Sequence, residues 1–412
     1  MRLLQVVHQY PPSFVGGTEL YTQFLAHGLV TRGNEVAVFH RESAVGTGLH
    51  QHRSDGLSLW AAWDGELRAA RRFTASLYAP ALLDSFRRAL DANHPTLVHI
   101  QHLMGLPLAV VDELQARGIP YIVSLHDFWW VCANAQLITN YSQELCGGPR
   151  AYLNCARCAL ARIGCSYAWP LLPGLMALLA WRAARLRAGL RQAVRLIAPS
   201  EFVRQWYIAH GAESEHIVVI PHGIHLPAGA AAEEQQRERD ALRCLYLGGI
   251  SWQKGVHVVV EALRGARDVE LWIAGNERSD PAYAAHLHAI AGDNIRFLGQ
   301  LSRAEVWRTL SQVDVLLVPS LWYETFSLVV REAFAVGLPV LVSDLGALAE
   351  VAGNHGGGLC VPAGDVVAWR KAVQRLADEP ARLMALRTRV SPPLTLEAHL
   401  DTVETLYDVS VG

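Results

Sequence analysis

The chain has 412 residues, too many for one ordinary hydrophobic core, and this length predicts two or three domains. Hydrophobic residues make up 51% and charged residues 18%, which suits a globular protein with large buried sheets and argues against disorder. The net charge of −2 gives no electrostatic reason to expect a nucleic-acid partner. The sequence shows neither a signal-peptide pattern nor a run of about 18 apolar residues, so we expect a cytoplasmic protein without a spanning helix.

Short apolar runs alternate with helical patterns along the first half of the chain. Those that predict strands are LLQVVH (3–8), EVAVFH (35–40), TLVHIQ (96–101), YIVSLH (121–126), RLIAPS (195–200) and HIVVIP (216–221). Near-continuous Val, Ile and Leu runs between helices are typical of parallel strands covered on both faces. Ligands of such sheets bind beyond the carboxyl ends of the strands, so the loops at Gly16-Gly17 and His126-Asp127 are candidate binding elements.

Five of the seven cysteines fall between residues 132 and 165, which argues against a disulfide framework and for a local site. Cys132, Cys146, Cys155 and Cys158 follow the spacing C-x13-C-x8-C-x2-C. Four soft ligands that include a C-x2-C pair predict a tetrahedral structural zinc site. An iron–sulfur cluster, a redox pair and free buried cysteines are the alternatives.

The next segment, AWPLLPGLMALLAWRAARLRAGLRQAVRL (168–196), combines an apolar run with five arginines, Arg182, Arg185, Arg187, Arg191 and Arg195. A basic amphipathic helix can lie on an anionic membrane, which would suit a peripheral protein at the inner membrane face with a lipid-linked acceptor. A helix packed on the first sheet with its arginines in solvent is the alternative. We treat 127–195 as a cysteine-rich and basic insert.

The stretch PAGAAAEEQQRERD (227–240) is small, polar and charged, and it predicts a linker or solvated loop. A second series of predicted strands follows it: RCLYLGG (243–249), ELWIAG (270–275), IRFLGQ (295–300), DVLLVPS (314–320) and PVLVSD (339–344). The two series predict two doubly wound α/β domains, over 1–226 and 227–395. The last segment, 396–412, has helical spacing, and we expect it to pack back on the first domain.

Two glutamates, Glu324 and Glu332, lie eight residues apart in LWYETFSLVVREAF, where the spacing predicts a helix over 326–336. Eight helical residues span about 12 Å, more than the roughly 5 to 10 Å between paired acid/base carboxylates. The spacing suits two contacts on one extended ligand, with the N–H groups of Phe326, Ser327 and Leu328 favouring a phosphate between them. Two ordinary helix charges are the alternative.

Two further loops join a strand to a helix. Lys254, in GGISWQKGVHVVVEAL, can reach an anion at the same edge of its domain, although a lone lysine there can also be a solvated loop residue. Gly16 and Gly17 allow close backbone approach to a ligand, but neither G-x-G-x-x-G nor a Walker P-loop is present.

Together these segments resemble the retaining glycosyltransferases of the large family four. The matching segments, which include PPSFVGGTELYTQFLAHGL, SLHDF, IVVIPHGI, LGGISWQKGVHVVVEAL and VPSLWYETFSLVVREAFAVGLPVLVSD, occur in family order over nearly all of the chain. The resemblance implies a GT-B fold, in which two Rossmann-like domains face each other across the active-site cleft. It also implies transfer of a sugar from a UDP-, GDP- or dTDP-sugar to a glycan or lipid-linked acceptor, with retention and without a catalytic metal.

The resemblance also implies residue roles. Glu332 would bind the ribose, and Glu324 would hold the sugar hydroxyls and distal phosphate together with the backbone of Thr325, Phe326, Ser327 and Leu328. Lys254 would neutralise the diphosphate, His126 would contact the transferred sugar, and Gly17 would face the diphosphate and acceptor.

The sequence departs from the family pattern at two positions. Gly249, at the donor site, stands where an Arg is usual before the Lys, and His222 stands where an Asn is usual. Without this arginine, one of the two cations expected to bind the diphosphate is missing. Its absence favours an alternative function as a catalytically weak nucleotide-sugar-binding or scaffold protein. The lead prediction is a transferase of polysaccharide, lipopolysaccharide or glycolipid assembly.

Overall fold

A computed structural model describes residues 1–66, 69–226, 241–354 and 356–411. The chain divides into two compact units, Met1–Gly223 with Leu396–Gly412, and Ile224–Thr395. The division falls three residues before the expected boundary at 226, and the C-terminal segment belongs to the first unit. The predicted linker at 227–240 lies outside the described residues.

The two units are built from alternating strands and helices. The strands are β1 (Arg2–Val7), β2 (Glu35–Arg41), β3 (Ala44–Ser54), β4 (Leu57–Gly65), β5 (Leu97–Ile100), β6 (Tyr121–Ser124), β7 (Arg195–Ala198), β8 (Ile217–Val219), β9 (Leu242–Leu247), β10 (Val269–Ala274), β11 (Ile295–Gly299), β12 (Val315–Val318), β13 (Val340–Ser343) and β14 (Gly358–Val361). The helices are α1 (Gly17–Thr31), α2 (Ala69–Leu77), α3 (Pro80–Asn93), α4 (Ala109–Ala116), α5 (Leu153–Arg162), α6 (Leu172–Gln192), α7 (Glu201–Ala209), α8 (Val256–Leu263), α9 (Pro281–Ile290), α10 (Arg303–Leu310), α11 (Leu328–Ala335), α12 (Gly346–Asn354), α13 (Val366–Asp378), α14 (Pro380–Arg387) and α15 (Leu396–Val411).

The sheet of the first unit has the strand order β3-β4-β2-β1-β5-β6-β7-β8. Every neighbouring pair is parallel except β3 and β4, which form an antiparallel hairpin at the edge. In the parallel part of the sheet, the strand order reverses between β1 and β5. We therefore expect ligands to bind beyond the carboxyl ends of these two strands.

The sheet of the second unit is parallel throughout, with the order β11-β10-β9-β12-β13-β14. This is the classic doubly wound order, and it reverses between β9 and β12. Strands β12 and β13 are buried along their whole length, because helices cover both faces of the sheet. Buried parallel strands explain why the sequence shows continuous apolar runs there.

All of the strands predicted from apolar runs are present, with ends shifted by up to a few residues. The prediction omitted β3, β4 and β14. Strand β3 contains two glycines and is mostly exposed, so it lacks a buried apolar run. Strand β14 is short and only partly buried.

The C-terminal helix α15 packs within the first unit. Leu400, Val403 and Tyr407 are buried in the same apolar cluster as residues of β1 and α1. Outside this cluster, Arg32 pairs with Asp401 at 2.6 Å and with Glu404 at 2.8 Å.

Candidate functional site

The second unit brings two sequence-predicted residues into direct contact where its strand order reverses. Lys254 follows β9 and Glu324 follows β12, and these strands are neighbours in the sheet. Lys254 Nζ lies 2.7 Å from Glu324 Oε1. The pair therefore occupies the position at which doubly wound sheets bind their ligands.

Glu324 is held as a buried anion by three donors. Besides Lys254, the Ser320 hydroxyl donates to Oε1 at 2.8 Å and Trp322 Nε1 donates at 3.1 Å. Burial raises the pKa of Glu324, but the Lys254 ammonium and the hydrogen bonds outweigh it, and the net pKa is lowered. Sequence reasoning missed Ser320 and Trp322 as site residues, although both lie between β12 and Glu324.

Gly255 allows the Lys254 loop to approach the loop after β12. Its φ of +69° is left-handed, and a Cβ at this position would lie 1.9 Å from the carbonyl oxygen of Pro319. Only glycine meets both conditions without displacing backbone. The contact between Lys254 and Glu324 therefore depends on this residue.

The helix that carries Glu332 is shorter than predicted. Helix α11 begins at Leu328, two residues after the predicted start, with Ser327 at its N-cap position and Thr325 and Phe326 in the preceding loop. The predicted separation of about 12 Å assumed that both glutamates lie in one helix. That assumption is wrong, because Glu324 precedes the helix. The first-turn N–H groups of α11 have no intrahelical partner and still suit an anion.

Glu332 pairs with a residue that sequence reasoning did not place in the site. Arg303 Nη2 lies 2.6 Å from Glu332 Oε1, and the glutamate side chain is only 5% exposed. Burial raises the pKa of Glu332, and the Arg303 guanidinium only partly offsets the effect. Arg303 is the first residue of α10, and Ser302 and Glu305 fix its position through a capping box.

Gly249 has room for a side chain. A Cβ at this position would meet no atom within 4 Å. The Tyr246 hydroxyl donates to the Gly249 carbonyl at 2.6 Å and fixes the loop after β9. The missing arginine therefore leaves open space in this loop.

The first unit places His126 in a buried network of neutral groups. Gln101 Nε2 donates to Gln5 at 2.7 Å, so the Gln101 oxygen is left to accept from His126 Nε2 at 2.7 Å. The His126 ring also packs against Tyr21 of α1, with centroids 5.0 Å apart. Burial lowers the pKa of His126 to about 3, with further lowering from the charges of neighbouring histidines, so the ring is neutral at pH 7.

Gly17 is the first residue of α1 and directly follows the N-cap residue Gly16. At the same edge of the sheet, His8 lies 3.2 Å from Glu19 in the first turn of α1, and His102 lies 2.9 Å from Asp127. Sequence reasoning did not single out His8, Glu19 or Gln101, because their partners lie on other elements of the chain.

The predicted zinc ligands Cys132, Cys146, Cys155 and Cys158 lie close enough to influence one another electrostatically. Burial raises the pKa of Cys155 to about 12, and the other three thiols add to the rise. The Asn140 N–H donates to Cys158 Sγ at 3.1 Å. Within the described ranges, no group of three or more His, Cys, Asp or Glu side chains is arranged to hold a metal ion as it stands. The zinc site stays a prediction.

The predicted basic helix corresponds to α6, with one difference. Arg182 is buried rather than part of a solvent-facing stripe, because it donates to the Trp129 carbonyl at 3.1 Å and lies over the Trp129 ring. Among the helices that the structure describes, none is long and apolar enough to cross a membrane.

A family model described as Glycosyltransferase Family 4 matches residues 15–227, more than half of the chain. This chain belongs to glycosyltransferase family 4. A second model, Glycosyl transferases group 1, matches residues 230–391 of the same family 4 chain. The family prediction is thereby confirmed.

Similar proteins match along nearly the whole chain. Glycogen synthase from Mycobacterium tuberculosis (strain CDC 1551 / Oshkosh) is 26% identical over 425 residues, covering 98% of this chain and 93% of the relative. Sucrose-phosphate synthase from Thermosynechococcus elongatus superposes with a TM-score of 0.74 and 20% identity, covering 99% of this chain and 98% of the other. Anabaena HepE in complex with UDP and glucose superposes with a TM-score of 0.67 and 16% identity, covering 99% and 100%. The fold is GT-B, as predicted.

Proposed function

We propose that this family 4 chain is a retaining glycosyltransferase that moves a sugar from a nucleotide-diphosphate sugar to a hydroxyl acceptor. One observation carries the proposal: the contact between Lys254 and Glu324 at the switch point of the second sheet. A cation suits a diphosphate, and an anion beside it suits sugar hydroxyls. UDP and glucose in the similar HepE structure support a donor of this class.

Each donor-site residue has a chemical task in this proposal. The Lys254 ammonium and the first-turn N–H groups of α11 stabilise the diphosphate as it leaves. Ionised Glu324 accepts hydrogen bonds from the sugar hydroxyls. Glu332 accepts from the ribose hydroxyls once Arg303 moves aside or shares the carboxylate.

His126 acts as a neutral hydrogen-bonding group in this proposal. Its low pKa rules out an imidazolium at pH 7, so it contacts the transferred sugar without adding charge. In this proposal, charge stabilisation without a metal is left to Lys254 and the α11 N-terminus. The family resemblance favours front-face attack assisted by the departing phosphate. Polysaccharide, lipopolysaccharide or glycolipid assembly is the proposed setting.

A second candidate is a nucleotide-sugar-binding protein with weak transferase activity. The open space at Gly249 favours it, because a phosphate-binding cation is missing there. Binding without turnover would distinguish this candidate from the enzyme.

Lysine chemistry offers a sharp test, because the chain has only two lysines, Lys254 and Lys371. Reductive methylation followed by mass spectrometry would report both side chains in one sample. We expect UDP-, GDP- or dTDP-sugars to protect Lys254 and to leave exposed Lys371 unprotected. If Lys254 is labelled to the same extent with and without each nucleotide sugar at saturating concentration, the proposed donor site is wrong.

Activity needs a separate measurement. Release of nucleoside diphosphate from the protecting sugar nucleotide, and the anomeric configuration of the product by NMR, test turnover and retention. Protection of Lys254 without release would favour the weak-transferase candidate.

A further inference from the structure

The segment from residue 145 to residue 200 has a one-sided charge. It contains eight arginines and no aspartate or glutamate, in a chain whose net charge is −2. The segment includes α5, α6 and the connection between them, and the two helices pack against each other. Arg182 is buried and Arg185 pairs with Asp112, and the remaining arginines give the segment a basic surface that attracts anionic partners.

The connection between α5 and α6 exposes large apolar side chains. We call this group the hairpin tip, and its members are Ile163 at 63% exposure, Tyr167 at 80%, Trp169 at 73% and Leu171 at 58%. They fall within nine consecutive residues, so they form one local patch. Single exposed apolar residues are ordinary, but two aromatic and two aliphatic side chains together mark an interaction surface.

Exposed arginines lie on both helices of the hairpin, close to the tip on α5 and more than about 20 Å along the axis from the tip on α6. Arg157 and Arg162 lie on α5, and Arg187 and Arg191 lie on α6, all at the surface. Among the described residues, neither Arg187 nor Arg191 has an ion-pair partner. Arg185 does not belong to this set because it pairs with Asp112.

We propose that the hairpin lies along a lipid bilayer that contains anionic lipids, with the hairpin tip and these four arginines in contact with it. Tryptophan and tyrosine favour the headgroup region, where an apolar ring and a polar edge are both satisfied. Arginines bind lipid phosphates and match the negative potential of the cytoplasmic leaflet. An apolar insertion and a basic patch together supply the two signals that stable peripheral binding needs.

A bilayer fits this surface better than a protein partner does. The charge is of one sign over the whole segment, whereas the buried centres of protein interfaces are depleted of charged residues. This inference does not depend on glycosyl transfer, so it can fail or succeed independently of the proposed function.

Vesicle co-sedimentation of the full chain tests the proposal. We expect binding to vesicles of phosphatidylcholine mixed with phosphatidylglycerol, little binding to phosphatidylcholine alone, and weaker binding at high salt because exposed charges are screened. Absence of binding to the anionic vesicles would overturn it.

Two double variants separate the charged and apolar contributions. Arg187→Glu with Arg191→Glu should weaken binding by about twentyfold or more. Tyr167→Ser with Trp169→Ser should weaken it by about tenfold or more. Near-ultraviolet circular dichroism would confirm that each variant is folded.

Matched controls use equally exposed residues elsewhere. Arg88→Glu with Arg267→Glu makes the same change in net charge outside the segment, and Tyr78, at 79% exposure, supplies the control Tyr78→Ser. These controls should bind vesicles like the wild type. Equal losses of vesicle binding in the controls would overturn the proposal. It would also be overturned if the wild type does not bind vesicles and size-exclusion chromatography shows a dimer that the tip variants abolish, because the surface would then be a protein interface.

Discussion

The two units place different chemistry at corresponding ends of their sheets. In the second unit, each predicted carboxylate is held by a cation, Glu324 by Lys254 and Glu332 by Arg303. In the first unit, His126 lies among glutamine, tyrosine and other histidines, and burial keeps it neutral. The same topological position thus pairs each predicted carboxylate with a cation in one unit and surrounds a neutral histidine with hydrogen-bonding groups in the other.

The difference follows from what each sheet end can stabilise. Paired charges remain ionised when buried, and they can exchange a partner for a phosphate or a sugar hydroxyl. Neutral rings stay neutral because protonating a buried imidazole costs free energy. We therefore expect the second unit to respond to ligand charge and the first unit to respond to pH.

The largest expected effect is acid destabilisation of the first unit. Five histidines of this unit, four buried and His8 partly buried, have lowered pKa values: His8 and His99 well below the usual value, His126 about 3, and His40 and His399 about 4. Protons bind the unfolded state first, so stability is complete above pH 6.5 and falls as pH drops toward 4. Each histidine contributes about 1.4 kcal/mol per pH unit in its window.

Hydrogen exchange at pH 7.5 and pH 5, corrected for intrinsic rates, would measure this effect. Peptides from β1 and β5 should lose protection before those from β9 and β12. His126→Gln removes one titrating group and should flatten the pH dependence. If peptides from both units lose protection to the same extent between pH 7.5 and pH 5, the predicted difference between the units is wrong.

Removing the cation of the second unit comes next. Lys254→Ala leaves Glu324 buried with only neutral donors and removes the charge that stabilises the departing diphosphate. We expect kcat/KM to fall by about 100-fold or more, measured as release of nucleoside diphosphate. Lys371→Ala is the matched control and should behave like wild type; an equal loss there would show a nonspecific effect.

Glu332 gives a smaller effect with its own pH dependence. Glu332→Gln should weaken donor binding by about tenfold, because one charged acceptor becomes a neutral one. In the wild type, donor affinity should fall as the pH drops through the raised pKa of Glu332, because protonation neutralises the carboxylate that accepts the hydrogen bonds. Calorimetric titrations at several pH values should show this dependence in the wild type only; the same dependence in the glutamine variant would assign it elsewhere.

Gly249→Arg should act in the opposite direction. The open space accommodates the side chain, and an added cation should strengthen donor binding by about fivefold. Gly255→Ala is the contrasting variant, because its Cβ would collide with Pro319 and unfold the loop. Calorimetry measures the first change and thermal unfolding the second. Unchanged donor affinity in Gly249→Arg would show that the loop does not face the phosphates.

The smallest expected effect on donor binding concerns the cysteines. If Cys132, Cys146, Cys155 and Cys158 bind zinc, elemental analysis should find one zinc per chain, and a chelator should lower the melting temperature. Donor binding by the second unit should not change, because these thiols belong to the first unit. Metal-free protein with an unchanged melting temperature would remove the zinc prediction.

The sequence by itself determined which segments become buried parallel strands and which residues follow them. Lys254 and His126 were singled out in loops that follow continuous apolar runs, which indicate burial on both faces of a sheet. Glu324 was singled out by its spacing from Glu332, and the family resemblance supplied the roles of all three residues. The motif order was sufficient to indicate the family. The start of α11 was predicted two residues early, which is within the normal uncertainty of helix ends.

The tertiary structure alone decided which of these residues are partners. The contacts of Arg303 with Glu332 and of Gln101 with His126 join residues on different elements, and no local spacing encodes such pairs. Arg182 has the same sequence pattern as the exposed arginines of α6, yet it is buried because Trp129 lies against it. Local patterns report the environment of each segment, whereas partner identity depends on how strand order brings distant loops to one sheet edge.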